Sequence, residues 1–239
     1  VTISGDRRIL WLWAGLLLAC LAAVGVEKSL QGEMSMGKRV IPLGQVPTKG
    51  ALSVEEAIMR RSSVRQYADS PLSLEEVGHL LWAAYGVPRR GEKRRTVPSA
   101  GATYPLSVHL VARAVTGLTP GVYTYRSEEH SLVEIATGNH FPTQLSRAAL
   151  GQRMVGEAPV IVVLSAVYER TTRHYGSRGV MYVHMEAGHA GQNVSLVGEG
   201  LEIGSVMVGA FDEGMVKKIL GLPPNETPIY LIPCGKKRK

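Results

Sequence analysis

Three guanidinium groups and two hydroxyls fall within six consecutive positions, Arg60-Arg61-Ser62-Ser63-Val64-Arg65, with Gln66 and Tyr67 following. So dense a positive cluster belongs either in solvent, as a basic surface turn, or against an anion. Arginine offers a planar fork that matches phosphate geometry bidentately, and serine hydroxyls or turn amides can satisfy the remaining oxygens. The cluster sits directly after a short helix opened by Ser53-Val54-Glu55-Glu56, a capping box in which Ser53 caps the first turn and Glu56 reaches back to the Ser53 amide.

A chain of 239 residues with 45% hydrophobic content buries one good core, in one domain or at most two, which excludes global disorder. The formal net charge is +7, and Arg7 and Arg8 against Asp6 account for little of it, so most belongs to the rest of the chain. That balance favours anionic partners: phosphate-bearing cofactors, nucleic acid or anionic lipid. The cysteines are Cys20 and Cys234, and Cys20 lies in an apolar run, so neither a disulfide framework nor a cysteine metal site is available.

Residues 1–28 have the layout of a signal or membrane anchor. Ile9 to Val26 carry no charge, Arg7-Arg8 precede them and Glu27-Lys28 close them. The run is borderline for spanning, which takes about 20 residues. Leu17-Leu18-Ala19-Cys20 also resembles a bacterial lipobox, whose cysteine is acylated. Lipoprotein, uncleaved anchor and cleaved signal all remain open, and the expectation is a membrane-associated or exported protein of undetermined sidedness. Residues 29–51 show no periodicity and read as a linker or arm, so the folded domain is expected over 52–239.

Ser73-Leu74-Glu75-Glu76 repeats the capping box, and Leu74, Val77, Leu81, Ala84 and Tyr85 then mark one helical face that ends at Gly86. A basic loop over 89–95 precedes Pro98-Ser99-Ala100-Gly101-Ala102-Thr103-Tyr104-Pro105, where small residues let backbone approach a flat ligand. Strands are expected over 106–115, a hairpin over 121–126 and 131–136, and a helix over 139–150 with Pro142 near its start. The β-branched run over 158–167 reads as a strand buried on both faces. After a long helix over 179–200 come a strand over 203–208, a turn at Gly209-Ala210-Phe211, a helix from the cap Asp212 to Leu220, and a last strand over 229–233. This alternation of helices and strands, with an antiparallel hairpin, indicates an α+β domain.

His184, Glu186, His189, Gln192 and Asn193 interrupt the long helix. The two histidines are five apart, whereas stacked ligands on one helical face stand four apart, and no cysteine or third histidine lies nearby. These polars therefore read as core or interface groups, and no metal is expected.

Five stretches taken in order resemble the FMN-dependent nitroreductase family, and within it the SagB/ThcOx-type dehydrogenase branch. They are Arg61-Ser62-Ser63-Val64-Arg65 with Tyr67, Pro98-Ser99-Ala100-Gly101-Ala102 with Tyr104-Pro105, Ala187-Gly188-His189 leading to Gln192-Asn193, Val208-Gly209-Ala210-Phe211-Asp212, and Pro233 to Lys236. The resemblance implies a central mixed, mainly antiparallel sheet surrounded by helices, in a homodimer with shared FMN sites. It implies that Arg61, Ser62, Ser63 and Arg65 hold the FMN phosphate and ribityl chain, with Lys236 as a second phosphate partner. Pro98, Ser99, Ala100 and Gly101 would come from the other subunit and lie along the flavin ring. The Gly209 and Ala210 amides would face the ring edge where negative charge develops, and Gln192 or Asn193 would reach the flavin or cap neighbouring backbone. The long helix, with Gly188, Ala190 and Gly191 allowing close approach, would form the subunit interface. Azoline-oxidising members of the branch use a Lys-Tyr pair, and His174-Tyr175 stands at the matching place, with Tyr175 and His174 available as acid or base.

The function this implies is hydride transfer by a ping-pong mechanism from NAD(P)H or another donor to a small organic acceptor such as a nitroaromatic or quinone. Azoline dehydrogenation is the alternative, and the lysine replaced by His174 counts against it. A non-catalytic, membrane-tethered protein gripping anions through the basic stretches at 89–95 and 236–239 is a further alternative. Nucleic acid is not an expected partner, because these clusters lack interleaved aromatics and a reading motif.

Overall fold

A computed structural model describes residues 39–46, 49–89 and 91–238. The signal or anchor reading of 1–28 and most of the arm lie outside the described residues. In chain order the elements are β1 (Val40–Pro42), α1 (Val54–Arg60), α2 (Leu74–Tyr85), a 3-10 turn (Ala100–Ala102), β2 (Leu106–Ala112), β3 (Gly121–Arg126) and β4 (Ser131–Thr137). They continue with α3 (Phe141–Ala148), α4 (Arg153–Glu157), β5 (Val160–Ala166), α5 (Glu169–Tyr175), α6 (Arg178–Gly200), β6 (Ile203–Ser205), α7 (Glu213–Leu220) and β7 (Thr227–Lys236).

The strands form one sheet in the order β1-β4-β3-β2-β5-β7-β6. Every pairing between these strands is antiparallel, and parallel geometry is confined to the isolated bridges Ser63–Ser205 and Leu72–Val115. Strand β5 is buried along its whole length because helices cover both faces of the sheet. On one face Val160, Val162 and Leu164 meet Leu81 and Ala84 of α2 and Val183, Ala187 and Val194 of α6. On the other, Ile161 and Val163 meet Leu145 of α3, Val155 of α4 and Val216 and Leu220 of α7. Alternate side chains of one strand thus feed two cores, and each fully buried aliphatic contributes about 1.5–3 kcal/mol.

Both capping boxes form, at Ser53 with Glu56 and at Ser73 with Glu76, and Asp212 caps α7 by accepting from the Met215 amide at 2.7 Å. Several boundaries differ from the sequence expectation. Residues Val40–Pro42, within the stretch read as an arm, are an edge strand paired with β4. The helix expected over 139–150 is shortened to Phe141–Ala148, and the strand expected over 106–115 ends at Ala112. The strand expected over 203–208 stops at Ser205, and Val208 rejoins the sheet by bridging to Leu231. Helix α5 holds His174 and Tyr175.

Candidate active site

The arginine cluster leaves α1 and runs across the end of the sheet on a shelf made of two glycines. Gly204 of β6 and Gly235 of β7 are cross-strand partners. A Cβ on Gly204 would lie 2.5 Å from Val64 Cβ, and one on Gly235 would lie 2.8 Å from Tyr67 Cγ. Only bare backbone lets the segment settle this close. There the Val64 amide donates to the Ser205 carbonyl at 2.9 Å and the Ala68 amide to the Lys236 carbonyl at 2.9 Å. The buried Tyr67 hydroxyl lies 3.2 Å from both the Val64 and Pro233 carbonyls.

This seating leaves Ser62, Ser63 and Arg65 exposed and Arg61 half-buried. The neighbouring cations are already engaged. Arg60 lies 4.0 Å from Glu56, Lys237 pairs with Glu199, and Arg238 Nε donates to the Tyr67 carbonyl at 2.9 Å. Lys236, expected as a second phosphate partner, is instead bound by the Glu76 carboxylate and donates to the Leu201 carbonyl at 2.9 Å. Glu76 pays a burial penalty that would raise its pKa, but the Lys236 contact and the Ser73 amide outweigh it and hold the carboxyl below its ordinary value. Among the described residues, Arg61 and Arg65 have no carboxylate partner, so the two guanidiniums that flank the serines are free to take an anion.

The turn after β6 is pinned at both ends and open in the middle. Val208 exchanges two backbone hydrogen bonds with Leu231, at 2.9 and 3.0 Å, and the Asp212 amide donates to the Ala148 carbonyl at 2.8 Å. Gln152 Nε2 donates to the Ala210 carbonyl at 3.0 Å. Gly209 and Ala210 are exposed, and among the described residues no acceptor takes their N–H groups. Exposed amides without an acceptor are what stabilising a developing negative charge requires.

The loop from Pro98 to Tyr104 is strained and internally braced. Gly101, Ala102 and Tyr104 have φ of 58°, 52° and 47°. Ser99 Oγ accepts from the Tyr104 amide at 3.0 Å, and Thr103 Oγ1 donates to the Ala100 carbonyl at 2.9 Å. Helix α5 packs on this loop through Thr171, whose Oγ1 lies 2.8 Å from Thr103 Oγ1. The structure thereby brings together two residues that sequence reading had treated apart: a Cβ on Gly101 would lie 2.6 Å from the Tyr175 hydroxyl. His174 is exposed at the end of the same helix, with its ring 6.3 Å from that of Tyr175.

On α6, Asn193 donates to the Ala83 and Thr96 carbonyls, both at 3.2 Å, and so caps neighbouring backbone, whereas Gln192 is exposed. Glu186 is buried and accepts from the Tyr85 hydroxyl. Burial raises its pKa, and hydrogen bonds from Tyr85 and Ser99 pull the other way. Its link between α2, α6 and the Ser99 loop was missed from sequence, where Glu186 was read only as an interrupting polar.

The nitroreductase family model matches residues 58–236. A candidate nitroreductase of Methanocaldococcus jannaschii is 46% identical over 194 residues, covering 81% of this chain and 96% of that one. The microcin B17-processing protein McbC of Escherichia coli is 27% identical over 155 residues, 63% of this chain and 57% of that one, in agreement with the SagB/ThcOx-type branch. A solved candidate nitroreductase of Anabaena variabilis superposes with a TM-score of 0.74 at 25% identity, and this chain spans 84% of its own length and 42% of that longer chain. The ordered stretches, the fold and these relatives agree that the chain belongs to the nitroreductase family.

Proposed function

We propose that the chain is an FMN-dependent oxidoreductase that carries hydride from NAD(P)H or another donor to a small organic acceptor, such as a nitroaromatic or quinone, in two successive half-reactions at one site. The observation that carries this reading is the charge inventory at the shelf: Arg61 and Arg65 stand without carboxylates beside Ser62 and Ser63, while the cations around them are paired. Flavin mononucleotide would supply the chemistry of accepting hydride and returning two electrons. Arg61 and Arg65 would bind its phosphate, and the Ser62 and Ser63 hydroxyls would meet its remaining oxygens. Lys236 would join them only by exchanging its ion pair with Glu76 for the phosphate. The Gly209 and Ala210 amides would donate where negative charge gathers, and the Tyr175 hydroxyl would hold a proton beside the Gly101 backbone.

A homodimer fits the same geometry. The segment after Arg61 bonds to β6 and Gly209 follows Val208 on β7, whereas Gly101 directly precedes β2 and Tyr175 packs on it, so two copies could together complete a site. Oxidation of an azoline is a second reading, supported by the likeness to McbC and by Tyr175 at Gly101. Membrane association through residues 1–28 is also proposed, and protease access in intact cells checks it.

The test of the main reading is the spectrum of the purified protein and its anaerobic titration with NADH and NADPH. A yellow protein with a flavin spectrum that bleaches on reduction supports it, and a colourless protein that refuses added FMN removes it. Arg65→Ala should bind FMN about ten- to more than a hundredfold more weakly, the loss of one charge-assisted contact. Turnover of a nitroaromatic or of an azoline peptide separates the two acceptor readings.

A further inference from the structure

A second concavity, of about 260 Å³, opens between the end of α2, the start of β2, the end of β3 and α5. Its lining is unlike that of the large apolar cleft of about 480 Å³ beside α1, where Leu52, Val54, Trp82 and Leu196 predominate. Arg95, Arg126 and Arg170 line it with one acidic residue, Glu128, which pairs with Arg95, and with the hydroxyl residues Ser107, Thr124 and Ser127. The local charge is therefore strongly positive inside a hollow with partly buried walls, where solvent screens charge less than on an open surface.

Two of the three cations already make contacts within the protein. The Arg95 guanidinium lies over the Tyr104 ring at 5.2 Å and the Tyr85 ring at 5.8 Å, and it pairs with Glu128. Arg170 Nη1 donates to the Tyr104 carbonyl at 3.2 Å, which leaves its other N–H groups uncommitted. Arg126 is exposed at the end of β3 and has no carboxylate partner among the described residues. A fork already held in place loses less side-chain entropy when it binds an oxyanion.

We propose that this hollow is a binding site for a small molecule bearing a doubly charged oxyanion, a phosphate or a dicarboxylate, and that it is distinct from the Arg61–Arg65 segment. The two lie on different halves of the sheet, since Arg126 and Ser107 belong to β3 and β2 whereas residues 61–65 lie against β6. The volume falls just below the range of about 300–1,000 Å³ that holds drug-sized ligands, so it suits a compact anion. Tyr104 forms its rim and closes the strained loop that begins at Pro98, so an occupant would brace the loop that carries Gly101.

The test uses the full chain saturated with FMN, so that phosphate cannot read out through an empty cofactor site. Inorganic phosphate and malonate are titrated separately, each against sodium chloride of equal ionic strength, with thermal unfolding and calorimetry as readouts. At ten times its dissociation constant, the preferred anion should raise the melting temperature by about 3–6 °C over the chloride control. Arg126→Gln, at an exposed position without a partner, should fold normally and weaken that anion about tenfold or more, with Arg170→Lys retaining most of the affinity. The flavin spectrum should not change. A rise reproduced by chloride, or an Arg126→Gln protein that binds both anions like the wild type, overturns the proposal. Displacement of flavin by phosphate overturns it too, by placing the anion at Arg61 and Arg65 instead.

Discussion

Gly209 occupies space that would accept a side chain. A Cβ there would meet only Tyr230 Cε1, at an ordinary 3.7 Å, and the residue is not among the glycines of positive φ. Backbone strain is therefore no reason for glycine at this position. What remains is the pair of free amides at Gly209 and Ala210, and a methyl group on the exposed side would hold a flat ligand away from them. Gly209→Ala is expected to unfold within about 0.5 kcal/mol of wild type while lowering the midpoint potential of bound flavin, because the reduced form loses its hydrogen-bond donors. A redox titration alongside urea unfolding reads both, and a folded variant with an unshifted potential would sink the role given to this turn. Lys236 teaches the converse. The family resemblance implies a phosphate contact for it, and its ion-pair partner Glu76 is 160 residues away, a long-range pair that no local signal reveals.

Elements with local chemistry were legible in the sequence, and those held only by neighbours were not. The Ser53 and Ser73 capping boxes, the β-branched run that became Val160–Ala166 and the Asp212 cap each carry their reason within a few residues. Strand Val40–Pro42 is too short to show a period and exists because β4 offers it an edge, while Arg153–Glu157 and Glu169–Tyr175 are helices of about two turns or fewer. The shelf under the arginine cluster was equally hidden, since Gly204 and Gly235 meet only when β6 pairs with β7. Adding a methyl at Gly204 drives it into the branched Val64, which cannot swing away as a longer chain could. Gly204→Ala should cost about 1–3 kcal/mol in urea unfolding and weaken FMN binding about tenfold or more. Unchanged FMN affinity in the folded variant would detach the shelf from the cofactor. A different cross-element cluster governs acid stability. Glu226 is buried against His109 Nε2 at 2.8 Å and accepts from Ser165. Burial opposes its ionisation, but those hydrogen bonds prevail and hold its pKa below the ordinary 4.5. A carboxylate depressed on folding stabilises the protein above the unfolded value and loses that contribution as pH falls through the folded one. Wild type should therefore lose stability below about pH 4.5 more steeply than Glu226→Gln, as urea midpoints measured from pH 6 to pH 3 would register.

At the scale of the molecule, the long helix has two unlike sides. Val183, Ala187, Ala190 and Val194 enter the core, while Met181 and Met185 stand 43% and 49% exposed, and Gly188 faces open space. Positions 181, 185, 188 and 192 recur at helical spacing, so the two methionines, the glycine and Gln192 share one outward face. Sequence patterning marked the helix as rich in small residues but could not separate these sides, because methionine and glycine stand outward while the polar Glu186 is buried. An exposed methionine face on a central helix suits contact with a second copy of the chain, which would also complete the proposed cofactor site. Met185→Lys places a charge where each buried methionine otherwise contributes about 1.5–3 kcal/mol. The dimer dissociation constant should rise about a hundredfold or more, a shift of about 2.7 kcal/mol or above. Light scattering at micromolar protein should then report a monomer with native circular dichroism, and bound flavin should fall with the dimer fraction as the sample is diluted. A wild-type protein that is monomeric at tens of micromolar and still holds stoichiometric FMN would refute the shared site, since the segments around Arg61 and Gly101 would then have to serve one flavin from a single chain.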